Sequence, residues 1–325
     1  MSMPVEAGSV AFLVAGALVP LLVRFAVGRN LLDLPNLRSS HEIPTPRLGG
    51  VAIIVGVWVG AIVLRPEGSW PLLIAATLIG AIGLADDLNN LHFRTKAIAQ
   101  TLIAGGLVFL YSPPLLSEAP GLLKVLVFIV GVFWIVALSN AFNFMDGIDG
   151  IIGGVTLVNA LFLFALTGNV ALVALAGAVA GFLIWNINPA SIFLGDSGSY
   201  FLGFFLAALA LYAPLPGLGW SPLLFFACIL VFTPLLFDTA YTLVRRYMAG
   251  KNVFSAHREH LYQQITPTTS MHRRTSNLYY GAAVVAGLAA LLVAGGGVFT
   301  VAGILLALLC CVGLTALPIV VRTEK

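Results

Sequence analysis

Leu122-Leu-Lys-Val-Leu-Val-Phe-Ile-Val-Gly-Val-Phe-Trp-Ile-Val-Ala-Leu138, continued by Ser139-Asn140-Ala-Phe-Asn143-Phe-Met-Asp146-Gly147-Ile-Asp149-Gly150, decides how this chain is built. The first part carries a single charge, Lys124, and approaches the ~20 apolar residues that a helix needs to cross a bilayer. The second part sets two amides and two carboxylates at its end, each carboxylate followed by a glycine that lets the backbone bend sharply. An apolar run closed by a polar, acidic cluster is the repeating unit of the sequence.

Working outward, similar runs occupy residues 8–27, 48–64, 70–85, 97–111, 122–138, 151–167, 170–187, 200–213, 222–244, 277–296 and 298–321. Sixty per cent of the 325 residues are hydrophobic and 9% are charged, and the mean hydropathy is +1.03. A soluble globular domain is excluded by that balance. The expectation is an all-α, polytopic integral membrane protein of about eleven transmembrane helices, forming a single membrane-embedded domain over 1–325. The weakest boundary is Gly295-Gly296-Gly297. The first run follows Met-Ser-Met-Pro-Val-Glu, which lacks a positive leader, and is read as a retained helix. Cys228, Cys310 and Cys311 lie inside apolar runs without paired spacing and are read as packing residues.

Charge sets the expected orientation. With the N-terminus outside, the loops 28–47, 86–96, 139–150, 188–199 and 245–276 and the C-terminus face the cytoplasm. Fourteen basic residues then fall inside, from Arg24, Arg29, Arg38, Arg47, Arg94 and Lys96 through Arg245, Arg246, Lys251, Arg258, Arg273 and Arg274 to Arg322 and Lys325, against Arg65 and Lys124 outside. The same assignment puts Asp33, Asp86, Asp87, Asp146, Asp149 and Asp196 in inner loops or helix ends. Asp238 lies about two turns inside the ninth run, where pairing with Arg245 would account for it. The outer loops offer Pro113, Pro114, Pro120, Pro214, Pro216 and Gly217, the composition of turns.

Five inner clusters carry chemistry. Asp86-Asp87, beside Arg94 and Lys96, suits a cation site, a proton acceptor or a solvated turn. In the 139–150 loop, N-capping of the sixth run accounts for Asp149 but not for Asn140 or Asn143. Asn188-Pro-Ala-Ser-Ile-Phe193-Leu-Gly195-Asp196-Ser197-Gly198-Ser199 enters the eighth run, where free amides and the positive dipole end would seat an anion beside a metal-binding carboxylate. A Ser/Asp-capped helix start is the plainer reading. The first loop is basic at Arg38 and Arg47 and carries His41, which alone decides nothing; Ala256-His257-Arg258-Glu259-His260-Leu261-Tyr262-Gln263-Gln264 suits either an anionic lipid surface or a nucleotide pocket.

Taken together these clusters, from about Asp33 to Gln264, resemble the polyprenyl-phosphate N-acetylhexosamine-1-phosphate transferase family. The Asp-Asp pair with Lys96, Asn143-x-x-Asp146-Gly-x-Asp149-Gly and Phe193-x-Gly-Asp196-x-Gly-Ser199 stand in the family's order. The resemblance implies transfer of a sugar 1-phosphate from a UDP-N-acetyl amino sugar to polyprenyl (undecaprenyl) phosphate at the inner membrane, with release of UMP. It implies Mg²⁺, with Mn²⁺ as an alternative, at Asp196; catalytic carboxylates at Asp86, Asp87 and Asp149; and substrate contacts from Asn143, Asp146, Arg47, Lys96, Ser197, Ser199, His257, Arg258 and His260. Whether an Asp acts as base or only positions is left open, as is a homodimer, and no nucleic-acid partner is implied.

One departure bears on the sugar. The GlcNAc-1-phosphate enzymes of the family usually carry His-x-His-His in the last large loop, and His260-Leu-Tyr-Gln keeps only its first His. Ser255-Ala-His-Arg-x-His-Leu-Tyr-Gln, with Arg38-Ser-Ser-His41, is more similar to the branch that starts O-antigen chains, in lipopolysaccharide and cell-envelope synthesis, with 6-deoxy amino sugars. The rival readings are a proton- or ion-coupled transporter, which would use midplane carboxylates, and an inactive scaffold, which would need no acidic clusters.

Overall fold

The computed structural model describes residues 3–35, 43–66, 68–113, 116, 120–212, 221–253, 255, 257–266 and 268–323, with side chains to 318. Arg38, His41, Pro114, Pro214, Pro216, Gly217, Ala256, Lys325 and the side chain of Arg322 lie outside the described residues.

Each of the eleven apolar runs carries helix. In chain order these are α1 (Met3–Gly28), α2 (Gly49–Leu64), α3 (Trp70–Asn89), α4 (Phe93–Leu110), α5 (Gly121–Met145), α6 (Ile151–Thr167), α7 (Ala171–Asn186), α8 (Gly195–Tyr212), α9 (Pro222–Leu230), α10 (Thr233–Met248), the short α11 (Leu261–Gln264), α12 (His272–Ala294) and α13 (Val298–Thr323). Among the described residues α1, α3, α5, α12 and α13 are long and apolar enough to cross a bilayer, and α9 with α10 make a sixth if the bent pair is one span; α2, α6 and α7 are shorter apolar helices. The chain is a multi-pass membrane protein. An all-α expectation misses one detail, an antiparallel two-residue pair β1 (Leu32–Asp33) and β2 (Thr45–Pro46).

The ninth run differs from its reading as one helix. It bends by 74° between α9 and α10. Pro234 opens α10, where its missing N–H costs no helical bond, and the Thr233 hydroxyl donates to the Leu230 carbonyl at 2.7 Å, satisfying an acceptor that the break exposes.

Two boundaries move the functional residues onto helices. The fifth helix runs on to Met145, so Ser139, Asn140 and Asn143 are helical rather than loop residues. Their side chains have partners there: Asn140 Nδ2 donates to Val136 O at 2.8 Å and to Gln100 Oε1 at 2.6 Å, and Ser139 Oγ donates to Tyr200 O at 3.2 Å. The eighth helix begins at Gly195 in the left-handed region (φ 73°), so Asp196–Ser199 form its first turn.

Helix α8 is the hub. Every residue from Ser197 to Leu211 is buried, walled by α2, α3 and α5. The approach is closest at glycines, as small residues let backbones meet inside a bilayer. A Cβ on Gly50 would lie 2.2 Å from Gly198 N, and one on Gly83 would lie 2.3 Å from Asp196 O. The opposite kind of surface is on α5, where Leu122, Val125, Ile129 and Phe133 are exposed as lipid-facing residues are.

Gly83→Ala is therefore expected to overpack the α3–α8 contact, at about 1–3 kcal/mol, and lower the melting temperature in detergent. Gly106→Ala, whose Cβ meets nothing within 4 Å, is expected to leave it unchanged or raise it slightly.

Candidate active site

The site is assembled on the first turn of α8. Asp87, in the last turn of α3, accepts Asp196 N on Oδ1 at 3.0 Å and Ser197 N on Oδ2 at 3.1 Å. A carboxylate across the positive end of a helix is favourable in both charge and hydrogen bonding. The amides read from sequence as a vacant anion seat are thus filled by the protein's own side chain. The start of α8 is likewise not capped by its own Ser or Asp.

Locking α8 to α3 turns the Asp196 carboxylate toward α4 and α5. Its Oδ1 accepts Asn143 Nδ2 at 2.9 Å, and its Oδ2 lies 3.4 Å from Lys96 Nζ. Lys96, in the first turn of α4, also binds Asp86 Oδ2, and its ammonium stands 5.8 Å from the Tyr200 ring centroid. Asn143 Nδ2 reaches Ser199 Oγ as well, at 3.1 Å. Four helix ends thus meet in a chain Asp86–Lys96–Asp196–Asn143, with Asp196 the most open of its two carboxylates at 29% side-chain exposure against 11% for Asp86.

The β1–β2 pair and the residues after it close one side. Pro46 O accepts Phe193 N at 2.8 Å, and Gly49 and Gly50 amides donate to Phe193 and Leu194 carbonyls at 2.9 and 2.8 Å. Arg47 pairs with Asp33 at 2.5 Å, and its charge acts on both Asp87 and Asp146. Asp146, in the turn after α5, has its carboxyl pushed well above the usual range, first by burial and then by repulsion from Asp196 and Asp87, with Arg47 opposing.

Repulsion of this kind is what a bound cation would relieve. Among the described residues no three His, Cys, Asp or Glu side chains form a closed metal cage. The donor set does suit Mg²⁺, which is commonly held by one or two carboxylates together with substrate phosphates and water.

Residues 69–213 match the family described as Glycosyl transferase family 4. The chain is 32% identical to the decaprenyl-phosphate N-acetylglucosaminephosphotransferase of Mycobacterium tuberculosis, over 76% of this chain and 71% of that protein. It is 30% identical to the undecaprenyl-phosphate alpha-N-acetylglucosaminyl 1-phosphate transferase of Thermotoga maritima, over 75% and 76%. It is 29% identical to a probable undecaprenyl-phosphate N-acetylglucosaminyl 1-phosphate transferase of Bacillus subtilis, over 81% and 77%. The chain belongs to the polyprenyl-phosphate hexosamine-1-phosphate transferase family.

In this transferase Asp149 is set apart from the open carboxylates. It is 6% exposed. Its Oδ2 accepts Asn188 Nδ2 at 2.8 Å and Ala190 N at 3.2 Å, and its Oδ1 lies 3.3 Å from His272 Nδ1. Gly150, not Asp149, is the N-cap residue of α6, so the capping role expected of Asp149 is not what the carboxylate does. It clamps the 188–190 loop to the start of α12. Burial pushes its carboxyl upward, but the contacts with His272, Asn188 and the Ala190 amide outweigh that and hold it below the usual range.

Three further expectations change. Ser197 and Ser199 are fully buried, Ser197 against Gly50 and Ser199 beneath Asn143, so neither presents its hydroxyl to a substrate. His260 is 3% exposed with its Nδ1 3.1 Å from Asp238, a support rather than an open ligand. Arg245 binds the Glu259 carbonyl at 2.6 Å instead of Asp238. His257, half-buried, stacks on His260 at 5.0 Å and Arg258 is exposed, so the outer end of this segment stays open. Its neighbour Glu259 gathers Arg246 and Lys251.

His272, Asn188, Tyr262 and Tyr279 were not singled out as functional by sequence reasoning. Asn188 and Tyr262 lie inside recognised clusters without a role of their own, but His272 lies 123 residues from its partner Asp149 and no local pattern marks it.

Asp149→Asn is expected to lower the melting temperature at pH 7. Because the folded carboxyl titrates below its unfolded value, its stabilisation is complete above about pH 4 and is lost as pH falls through the folded value. The gap between wild type and variant should therefore hold above about pH 4 and narrow as pH falls below it, measured by thermal denaturation in detergent.

Proposed function

We propose that the protein transfers a sugar 1-phosphate from a UDP-N-acetyl amino sugar to polyprenyl phosphate, releasing UMP and forming polyprenyl diphosphate-sugar. The observation that carries this reading is the chain Asp86–Lys96–Asp196–Asn143 at one end of the bundle, in a chain related to enzymes named for such transfers. An acceptor phosphate on a lipid and a donor from water can meet only at a helix-end surface of this kind. The excess of Lys and Arg in the loops on that side supports a cytoplasmic site at the plasma membrane.

In the reaction an oxygen of the lipid phosphate forms a bond to the sugar-bearing phosphorus, and the bond from that phosphorus to the oxygen of UMP breaks. Mg²⁺ held by Asp196, with Asp146 facing it, would neutralise the diphosphate and stabilise departing UMP. Lys96 fixes the Asp86 and Asp196 carboxylates relative to each other. Asp86, held by Lys96, would stand beside the lipid phosphate. Asp87, saturated by α8 amides, acts through the orientation of Asp196. Arg47 and the exposed Arg258 supply positive charge at the rim, with His257 beside the latter for the nucleotide. The single His of the 260–263 segment supports a 6-deoxy amino sugar and a role at the start of an O-antigen or related envelope polysaccharide.

Purified protein in detergent, given undecaprenyl phosphate, Mg²⁺ and a panel of UDP-N-acetyl sugars, is expected to release UMP only with acceptor present and to stop with EDTA. No release from any donor overturns the reading. Asp196→Asn is expected to reduce release at least ~100-fold, the scale lost when one electrostatic group aimed at developing charge is removed.

A further inference from the structure

We infer that Asp238 is a positioning residue for the donor side of the site, acting through the Tyr262 hydroxyl on the end of α5; this rests on the transfer reaction proposed above. Asp238 is fully buried in α10, one turn past the bend. Its Oδ1 accepts Leu261 N at 2.8 Å and Thr242 Oγ1 at 3.2 Å and lies 3.1 Å from the His260 ring, while its Oδ2 accepts Tyr262 N at 3.0 Å and the Tyr279 hydroxyl. One carboxylate thus gathers donors from α10, α11 and α12. A buried charge with so full a set of donors fixes its partners' geometry, because any movement leaves it unpaired.

What it fixes is Tyr262. That ring stands edge-on to Tyr279 at 6.4 Å and its hydroxyl donates to Phe144 O at 3.2 Å. The ring fills the space over Gly147, where a Cβ would come within 2.1 Å of the hydroxyl oxygen. Phe144 stands between Asn143, which holds Asp196, and the Asp146 turn. On the other side, His260 packs 6.3 Å from Phe144 and stacks on His257. The path from Asp238 to the proposed nucleotide and metal groups is therefore two contacts long, and the Asp238 carboxylate itself touches no reacting atom.

Tyr262→Phe removes only the distal hydrogen bond, and Asp238→Asn removes the charge that seats the segment. The expected result for Tyr262→Phe is a KM for the UDP-sugar raised about fivefold, the scale of one hydrogen bond, with kcat, the KM for undecaprenyl phosphate and the melting temperature near wild type. Asp238→Asn is expected to raise the same KM further. Hydrogen exchange read without substrate is expected to rise in the 260–264 and 144–150 segments together in Asp238→Asn. Exchange confined to 260–264, or an equal rise in both KM values, overturns the inference. Failure of wild type to release UMP would instead strike the transfer reading and leave the exchange result to stand or fall by itself.

Discussion

The Asp87 carboxylate on the second and third amides of α8 is the contact on which the rest of the site depends. It joins residues about 110 apart in sequence and satisfies polar groups that a helix end inside a protein would otherwise bury unpaired. It also requires that α3 and α8 touch at backbone distance, which Gly83 permits. Without that lock the backbone of Asp196 would lose an anchor, since its own N–H makes one of the two bonds, and its carboxylate would be aimed by Asn143 and Lys96 alone. Preorganisation here begins at a main-chain contact one step removed from the open carboxylates.

Held in place, the carboxylates create a second problem. Asp86, Asp87, Asp146 and Asp196 crowd one end of a low-dielectric bundle, where like charges repel strongly. Lys96 answers part of it by standing between Asp86 and Asp196, and Arg47 answers another part from just past the end of β2. The remainder falls on Asp146 and on the open side of Asp196. A surplus of negative charge beside a partly exposed carboxylate is what a divalent cation arriving with a diphosphate would relieve.

The sequence made the membrane character, the positions of the apolar runs and the gathering of Asp86, Asp87, Asn143 and Asp196 legible, because each is written locally in hydropathy or in a short polar cluster. It misplaced residues at helix ends. Asn140 and Asn143 read as loop because polarity normally ends a membrane helix, yet their side chains have tertiary partners in Gln100, Asp196 and Ser199 that let α5 continue. Ser197 and Ser199 read as accessible because small polar residues beside glycine usually are; the close packing of α2 and α8 buries them. The His272–Asp149 and Asp238–Tyr262 contacts have no signature at all, since long-range pairing leaves no mark on composition or period.

The seven aspartates differ by how much of their hydrogen-bonding capacity the protein itself consumes. Asp87 and Asp238 have donors on both oxygens, and Asp149 has partners on both, supplied largely by backbone or neutral side chains. A carboxylate so occupied has its free energy tied to the fold, and substitution should be felt first as lost geometry. Asp33 is neutralised by Arg47 at the rim. Asp86 and Asp196 instead share a lysine, whose point charge and flexible stem can shift as a ligand's charge arrives, and Asn143 fixes the other oxygen of Asp196. Rigid donors thus hold the carboxylates that define the shape of the site, and the flexible Lys96 joins the two proposed to meet substrate.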